Sequence, residues 1–374
     1  MKTPRAATKT LLWHPEDGFG MINDLLTAAP NGIVPVINAH AANQPANFVV
    51  YANGNGGWPT YYGQSSDPTY SVSCSWGACS VANYPGHAPA GALVQGNNPL
   101  PDGGDRHLTF IDQTTGMEYD LWHVATSPLP SGGGTIQTDW SGYTMAMVGG
   151  GQAWDAGEGD AARVGNLAGR IRIEELEAAL LPDAGADPYI HHALSVVVNC
   201  INGVVVYPAQ LTPSNSSSGR SCYDLVDAGA MTLSAAENAP PMGARLYLNM
   251  TFSQIDRLSP SVPQWKLVIL RTLATYGAII NDTGSSFYFD WQTESGEQYT
   301  SMGVADPWLA FAEAMAAAGN QDWHPVNVLP DGGYEHYTGT WFDNDDGLDG
   351  GWTADVWDNL VILNECVSNG LCNP

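Results

Sequence analysis

Glycine and proline interrupt this chain too often for any long regular element. With 42 Gly and 25 Pro among 374 residues, one of the two falls at about every sixth position. Such punctuation favours short strands joined by loops and leaves room for only brief helices. At 44% hydrophobic and 13% charged residues, with 13 Trp and 16 Tyr, the composition is that of a globular chain with a core and not of a disordered one. Three segments carry helical signals. Residues 172–181 space Ile173, Leu176 and Leu180 helically and end at Pro182, while 263–276 and 307–318 each open on proline and close before glycine. A weaker helical pattern covers 21–28.

Strand signals dominate the rest. Residues 107–112 and 118–124 flank Gln113-Thr114-Thr115-Gly116, a good hairpin turn. Residues 193–200 and 204–207 flank Asn202-Gly203, which supplies the positive φ angles of a type I′ hairpin, and 278–281 with 286–291 read as another. The runs 33–37, 48–51 and 143–148 are further apolar stretches, and 360–366 fits a last strand or helix. No repeat of 20–50 residues is present, which argues against a propeller or solenoid. The expected fold is mostly β, a two-sheet β-sandwich or jelly roll with a few short peripheral helices. It is read as one domain over 1–374: a loop-rich extension (1–60), a patterned core (60–310), and a C-terminal helix, acidic loop and last strand (311–374).

Twelve Lys and Arg against 38 Asp and Glu give a net charge of −26. That excludes general phosphate neutralisation, so no nucleic-acid partner is expected. No run approaches the roughly 18 apolar residues of a membrane span, so no membrane partner is expected either. The six cysteines fall as near neighbours, Cys74 with Cys79, Cys200 with Cys222, and Cys366 with Cys372. Their spacing fits three short-loop disulfides better than zinc ligation and points to an oxidising compartment. Residues 1–13 hold Lys2, Arg5 and Lys9 but only Leu11 and Leu12 as apolar h-region residues, so no export leader is read there; the expectation is a secreted mature chain acting as a monomer. No cofactor and no metal are expected. The acidic run 343–349 departs from the EF-hand register, with Gly347 in fifth place and Ala354 in twelfth, and reads as a solvated loop.

Several motifs recur in order: Asp67-Pro68, Gly104-Asp105-Arg106-His107, Tyr119-Asp120-Leu121-Trp122, Gly165 to Gly169, His192-Ala193-Leu194, Tyr207-Pro208-Ala209, Pro241 to Arg245 and Asp282-Thr283-Gly284. Over about residues 60–310 this series resembles a large, functionally uncharacterised group of secreted bacterial proteins of the actinobacterial type. The resemblance implies export and a common scaffold, and it implies no particular reaction.

Strand alternation places Asp105, His107 and Thr109 on one face and Glu118, Asp120 and Trp122 on another. Across a hairpin, an acid and an imidazole would meet an acid and an indole. This is the layout of a glycan cleft, where one carboxyl protonates the leaving oxygen, a second activates water or attacks carbon, and an aromatic ring supports the sugar. The expected catalytic residues are therefore Asp120 and Asp105, with His107 and His192 tuning or relaying protons. Trp122, Arg245, Tyr207, Trp58 and Asp282 are the expected substrate contacts, Arg245 as a carboxylate clamp. The function read from the sequence is hydrolysis of an extracellular poly- or oligosaccharide. Its alternatives are a lyase acting on a uronate polymer and a non-catalytic glycan-binding or cell-surface protein. Buried Asp–His pairs and strand tryptophans also serve purely to hold a sheet together.

Overall fold

A computed structural model describes residues 26–27, 47–51, 57–96, 105–145, 159–181, 187–210, 219–237, 239–259, 262–284, 288–318, 323–325, 340–342 and 359–363. The chain divides into two compact units. One, here the hairpin unit, comprises 49–173 and 292–343; the other, the helical unit, comprises 1–48, 174–291 and 344–374.

Seven of the strands in the hairpin unit are β1 (Thr60–Gly63), β2 (Thr69–Cys74), β3 (Gly86–His87), β4 (Leu108–Asp112), β5 (Met117–Trp122), β6 (Gly134–Thr138) and β7 (Trp140–Met145). They form a four-stranded sheet ordered β1-β4-β5-β7 and a three-stranded sheet ordered β3-β2-β6. The hairpin expected at 107–124 is present, antiparallel, with Leu108 opposite Leu121 and Thr109 opposite Asp120. Its turn forms because Gly116 takes a φ of 75° and donates its N–H to the Asp112 carbonyl at 2.7 Å. The Asp112 carboxylate locks the same turn, accepting from the Thr114 amide at 2.8 Å and hydroxyl at 2.6 Å. Alternate residues Leu108, Phe110, Tyr119 and Leu121 join Tyr70, Val72 and Ile136 of the other sheet in one buried cluster. The opposite face of β4 and β5 is polar yet also buried.

In the helical unit, β8 (Leu194–Val198), β9 (Arg245–Leu248), β10 (Ala278–Thr283), β11 (Tyr288–Gln292) and β12 (Leu360–Leu363) form a sheet ordered β12-β9-β10-β8-β11, and Leu26–Thr27 pairs with β12. The expected helices appear as Ile173–Leu180 and Gln264–Leu273 around this unit and as Pro307–Ala317 in the other. Among the described residues the architecture is thus mixed α/β, with three mixed sheets, several short helices and no barrel.

Two expected hairpins do not form. β8 lies between β10 and β11, parallel to the first and antiparallel to the second, so 278–291 is not a hairpin. Nor do 204–207 fold back on β8: Asn202 closes only a local turn, its side-chain oxygen accepting from Val204 N at 2.9 Å, and Val205 bridges to Met242. Parallel pairing needs a crossover, and β8 is buried on both faces, so its sequence lacks the alternation that marks a hairpin arm. Parallel pairs β1–β4 and β2–β6 likewise depart from an all-antiparallel sandwich. Within the weak helical pattern at 21–28, Leu26–Thr27 is strand. Disulfides join Cys74 to Cys79 and Cys200 to Cys222. Cys366, Cys372, the 33–37 run and the acidic run 343–349 lie outside the described residues. Among the described residues no helix is long and apolar enough to cross a membrane.

Candidate functional site

The polar face of β4 and β5 is covered by the segment 159–170. Gly159 passes so close that a Cβ there would lie 2.7 Å from Asp120 Cβ, which is why glycine stands at this point. Asp120 is fully buried. Its carboxylate accepts from Thr109 Oγ1 at 2.9 Å, as the register dictates, and from Asn166 N at 3.3 Å. Glu118, two residues away on the same face, accepts from Leu167 N at 2.7 Å. Arg170 closes the cluster, donating to Trp58 O at 3.1 Å, Thr60 Oγ1 at 2.6 Å and Thr109 Oγ1 at 2.9 Å.

Burial pushes the Asp120 carboxyl up to about 6, opposed by Arg170 and the bonds from Thr109 and Asn166. Burial and the neighbouring Asp120 charge push Glu118 well above the usual carboxylate range. The Asp120 charge on the same buried face makes ionisation of Glu118 costly, so the proton stays chiefly on Glu118. His107 is also enclosed. It stacks on Trp58 with ring centroids 3.6 Å apart, neither ring nitrogen has a hydrogen-bond partner, and burial followed by the Arg170 charge holds it neutral. Trp58 is 4% exposed and carries Arg170 4.9 Å from its ring centroid, so it is packed within the cluster.

A different set of residues reaches solvent at the far end of β5. The left-handed residues Arg106 (φ 49°) and His123 (φ 53°) face each other there. His123 N donates to Asp105 O at 2.9 Å and Val124 N to Arg106 O at 3.2 Å. In an extended strand, neighbours point to opposite faces, yet the Trp122 and His123 rings stack at 3.8 Å and 15°. The left-handed turn of His123 thus re-aims its ring onto the Trp122 side. Asp139 fixes that ring, with Oδ2 2.8 Å from Nδ1, and Ser75 Oγ donates to the other Asp139 oxygen. These bonds hold the Asp139 carboxyl below its ordinary value. Trp76, in the loop closed by Cys74–Cys79, meets Trp122 edge-on at 4.8 Å and is 65% exposed. The exposed Asp105 accepts from Trp122 Nε1 at 3.4 Å.

The expected residues therefore separate. Asp105 and Trp122 meet at the solvent end; Asp120, His107 and Trp58 are enclosed with Arg170. Strand alternation fails between Asp105 and His107 because β4 begins only at Leu108 and Arg106 is left-handed. The helical unit holds the other four. His192 is 3% exposed, with Nδ1 2.8 Å from Ala193 O and Nε2 3.0 Å from Glu175 Oε2. Arg245 is 1% exposed and donates Nε to Tyr276 O at 2.7 Å. Asp282 lies in β10 and accepts from Thr283 N at 2.7 Å, and Tyr207 is partly exposed. Sequence reasoning passed over Trp76, His123, Asp139 and Arg170. Only Trp76 carried a local signal, an indole among the four residues between Cys74 and Cys79, a loop too short to bury it.

Among the described residues no three His, Cys, Asp or Glu side chains are gathered to hold a metal ion. Comparison with protein-family models, with curated proteins and with solved structures finds no match.

Proposed function

We propose that the protein is a secreted carbohydrate-active protein that binds a poly- or oligosaccharide on the surface formed by Trp76, Trp122 and His123. The observation that carries this reading is the 65% exposure of Trp76, held edge-on to Trp122 beside the carboxylates of Asp105 and Asp139. Flat aromatic faces stack on the C–H surfaces of sugars, and a few fixed polar groups set orientation. The disulfides fit an oxidising extracellular setting. The sandwich scaffold belongs to this proposal as well, supported by the single core that the two sheets of the hairpin unit share.

Hydrolysis is the second reading, favoured by the two rim carboxylates, Asp105 and Asp139. Asp120 is not suited to it, being enclosed with no exposure. Calorimetric titration with soluble neutral, amino and uronate oligosaccharides tests the binding reading. Trp76→Ala should weaken any interaction by about tenfold or more, the scale of a lost exposed aromatic anchor, with little change in melting temperature. Binding of no oligosaccharide, or full binding by the Trp76→Ala variant, would overturn it. Release of reducing ends from a bound glycan, lost in Asp105→Asn, would establish the hydrolytic reading.

A further inference from the structure

The hairpin unit is strongly one-signed. Its residues, 49–173 and 292–343, include eighteen Asp and Glu against four Arg and no Lys. All four guanidiniums are engaged. Arg170 is buried in the carboxyl cluster, and Arg163 is buried with its guanidinium 5.9 Å from the Trp140 ring centroid. Arg106 donates Nε to Val124 O at 2.6 Å, and Arg172 donates Nη1 to Leu167 O at 3.2 Å. Beside Trp76 and Trp122, among the described residues, stand the carboxylates of Asp105, bonded to Trp122 Nε1, and of Asp139, shared with the His123 ring.

A uronate or sulfated polymer approaching this surface would meet the like charge of Asp105 and Asp139, against which Arg106, half-buried and bonded through Nε to Val124 O, offers only partial offset. An ammonium group is attracted by both features of the surface, because indole faces carry a negative quadrupole and the rim is anionic. A neutral sugar would gain only the stacking. Resting on the glycan reading above, we infer that the Trp76–Trp122 surface takes a cationic glycan, one whose sugars carry free amino groups directed at Asp105 and the indole faces.

The test uses the whole chain and short soluble oligomers, since a long polycation would adhere to any protein of net charge −26. A glucosamine oligomer, its N-acetylated counterpart and a uronate oligomer are titrated calorimetrically at mildly acidic pH, where the amines are protonated. The glucosamine oligomer should bind at least tenfold tighter than the acetylated one, and the uronate oligomer should not bind. Rising salt should weaken the interaction. Trp76→Ala and Asp105→Asn should each reduce binding several-fold, while Asp227→Asn, an exposed acid in the helical unit, should leave it unchanged. Equal affinity for the acetylated oligomer, preference for the uronate, or equal sensitivity to Asp227→Asn would overturn the cationic specificity and leave glycan binding standing. Failure of all three oligomers would remove the glycan reading itself.

Discussion

Glu118 and Asp120 differ by one proton, and that difference sets what each tolerates. Glu118 is held protonated, so Glu118→Gln keeps its shape and its acceptor for Leu167 N and should cost about 1 kcal/mol or less. Asp120 is the negative charge that acts most strongly on the buried Arg170. Asp120→Asn removes that charge and should cost about 3 kcal/mol, the low end of the scale for a buried charge losing a partner, since Glu294 and Asp160 still act on Arg170. Denaturant unfolding of both variants checks the asymmetry; equal losses would mean that the pair shares its charge evenly. In the helical unit His192 is likewise buried among fixed partners. Its two ring nitrogens face the Ala193 carbonyl and the Glu175 carboxylate, which together fix the ring in place. That is a structural use of a histidine expected to relay protons.

Each described disulfide pins a different kind of element. Cys74–Cys79 closes a loop of sequence separation 5, and Cys200–Cys222 closes one of 22 and fixes the start of the helix Cys222–Asp227. In the chain-entropy model the first should contribute about 2 kcal/mol and the second about 3 kcal/mol. Replacing Cys200 and Cys222 by serine should therefore lower stability more than replacing Cys74 and Cys79, by thermal unfolding, whereas only the second replacement should disturb the loop that carries Trp76. Elements with local causes were the ones legible in the sequence. The 107–124 hairpin rests on Asp112 and Gly116, and the helix Gln264–Leu273 follows Pro263, all visible in the chain itself. β8 could not be placed, because its partners β10 and β11 lie some eighty residues or more away and its burial on both faces hides any period. For the same reason Asp105 and Trp122 could be read as neighbours, whereas the pairing of His123 with Asp139 and Ser75 depends on left-handed backbone and on a separate sheet.

Among the described residues, buried Asp and Glu outnumber buried Arg and Lys. Besides the Asp120–Glu118 pair, Glu297 is pushed up to about 8 by burial, with Asp306 adding to the effect and Ser295 opposing it. Groups whose folded pKa lies above the unfolded value stabilise fully below the unfolded value and lose that contribution as pH rises through the folded one. The melting temperature should therefore fall between pH 5 and pH 8, by about 2–4 °C for each kcal/mol lost. Glu297→Gln should flatten the upper part of that decline in a calorimetric pH series. A melting temperature that rises over this range would mean that these carboxyls are ionised in the folded chain. The lowered Asp112 and Asp139 act oppositely, their contribution being lost only as pH falls below the usual carboxylate range. The engagement of all four hairpin-unit arginines, with no lysine beside them, has one more outcome. Proteases of the trypsin type cut after exposed lysine and arginine. In the folded hairpin unit such an enzyme meets only Arg106 and Arg172, each half-buried and bonded through its side chain, so digestion there must wait for unfolding.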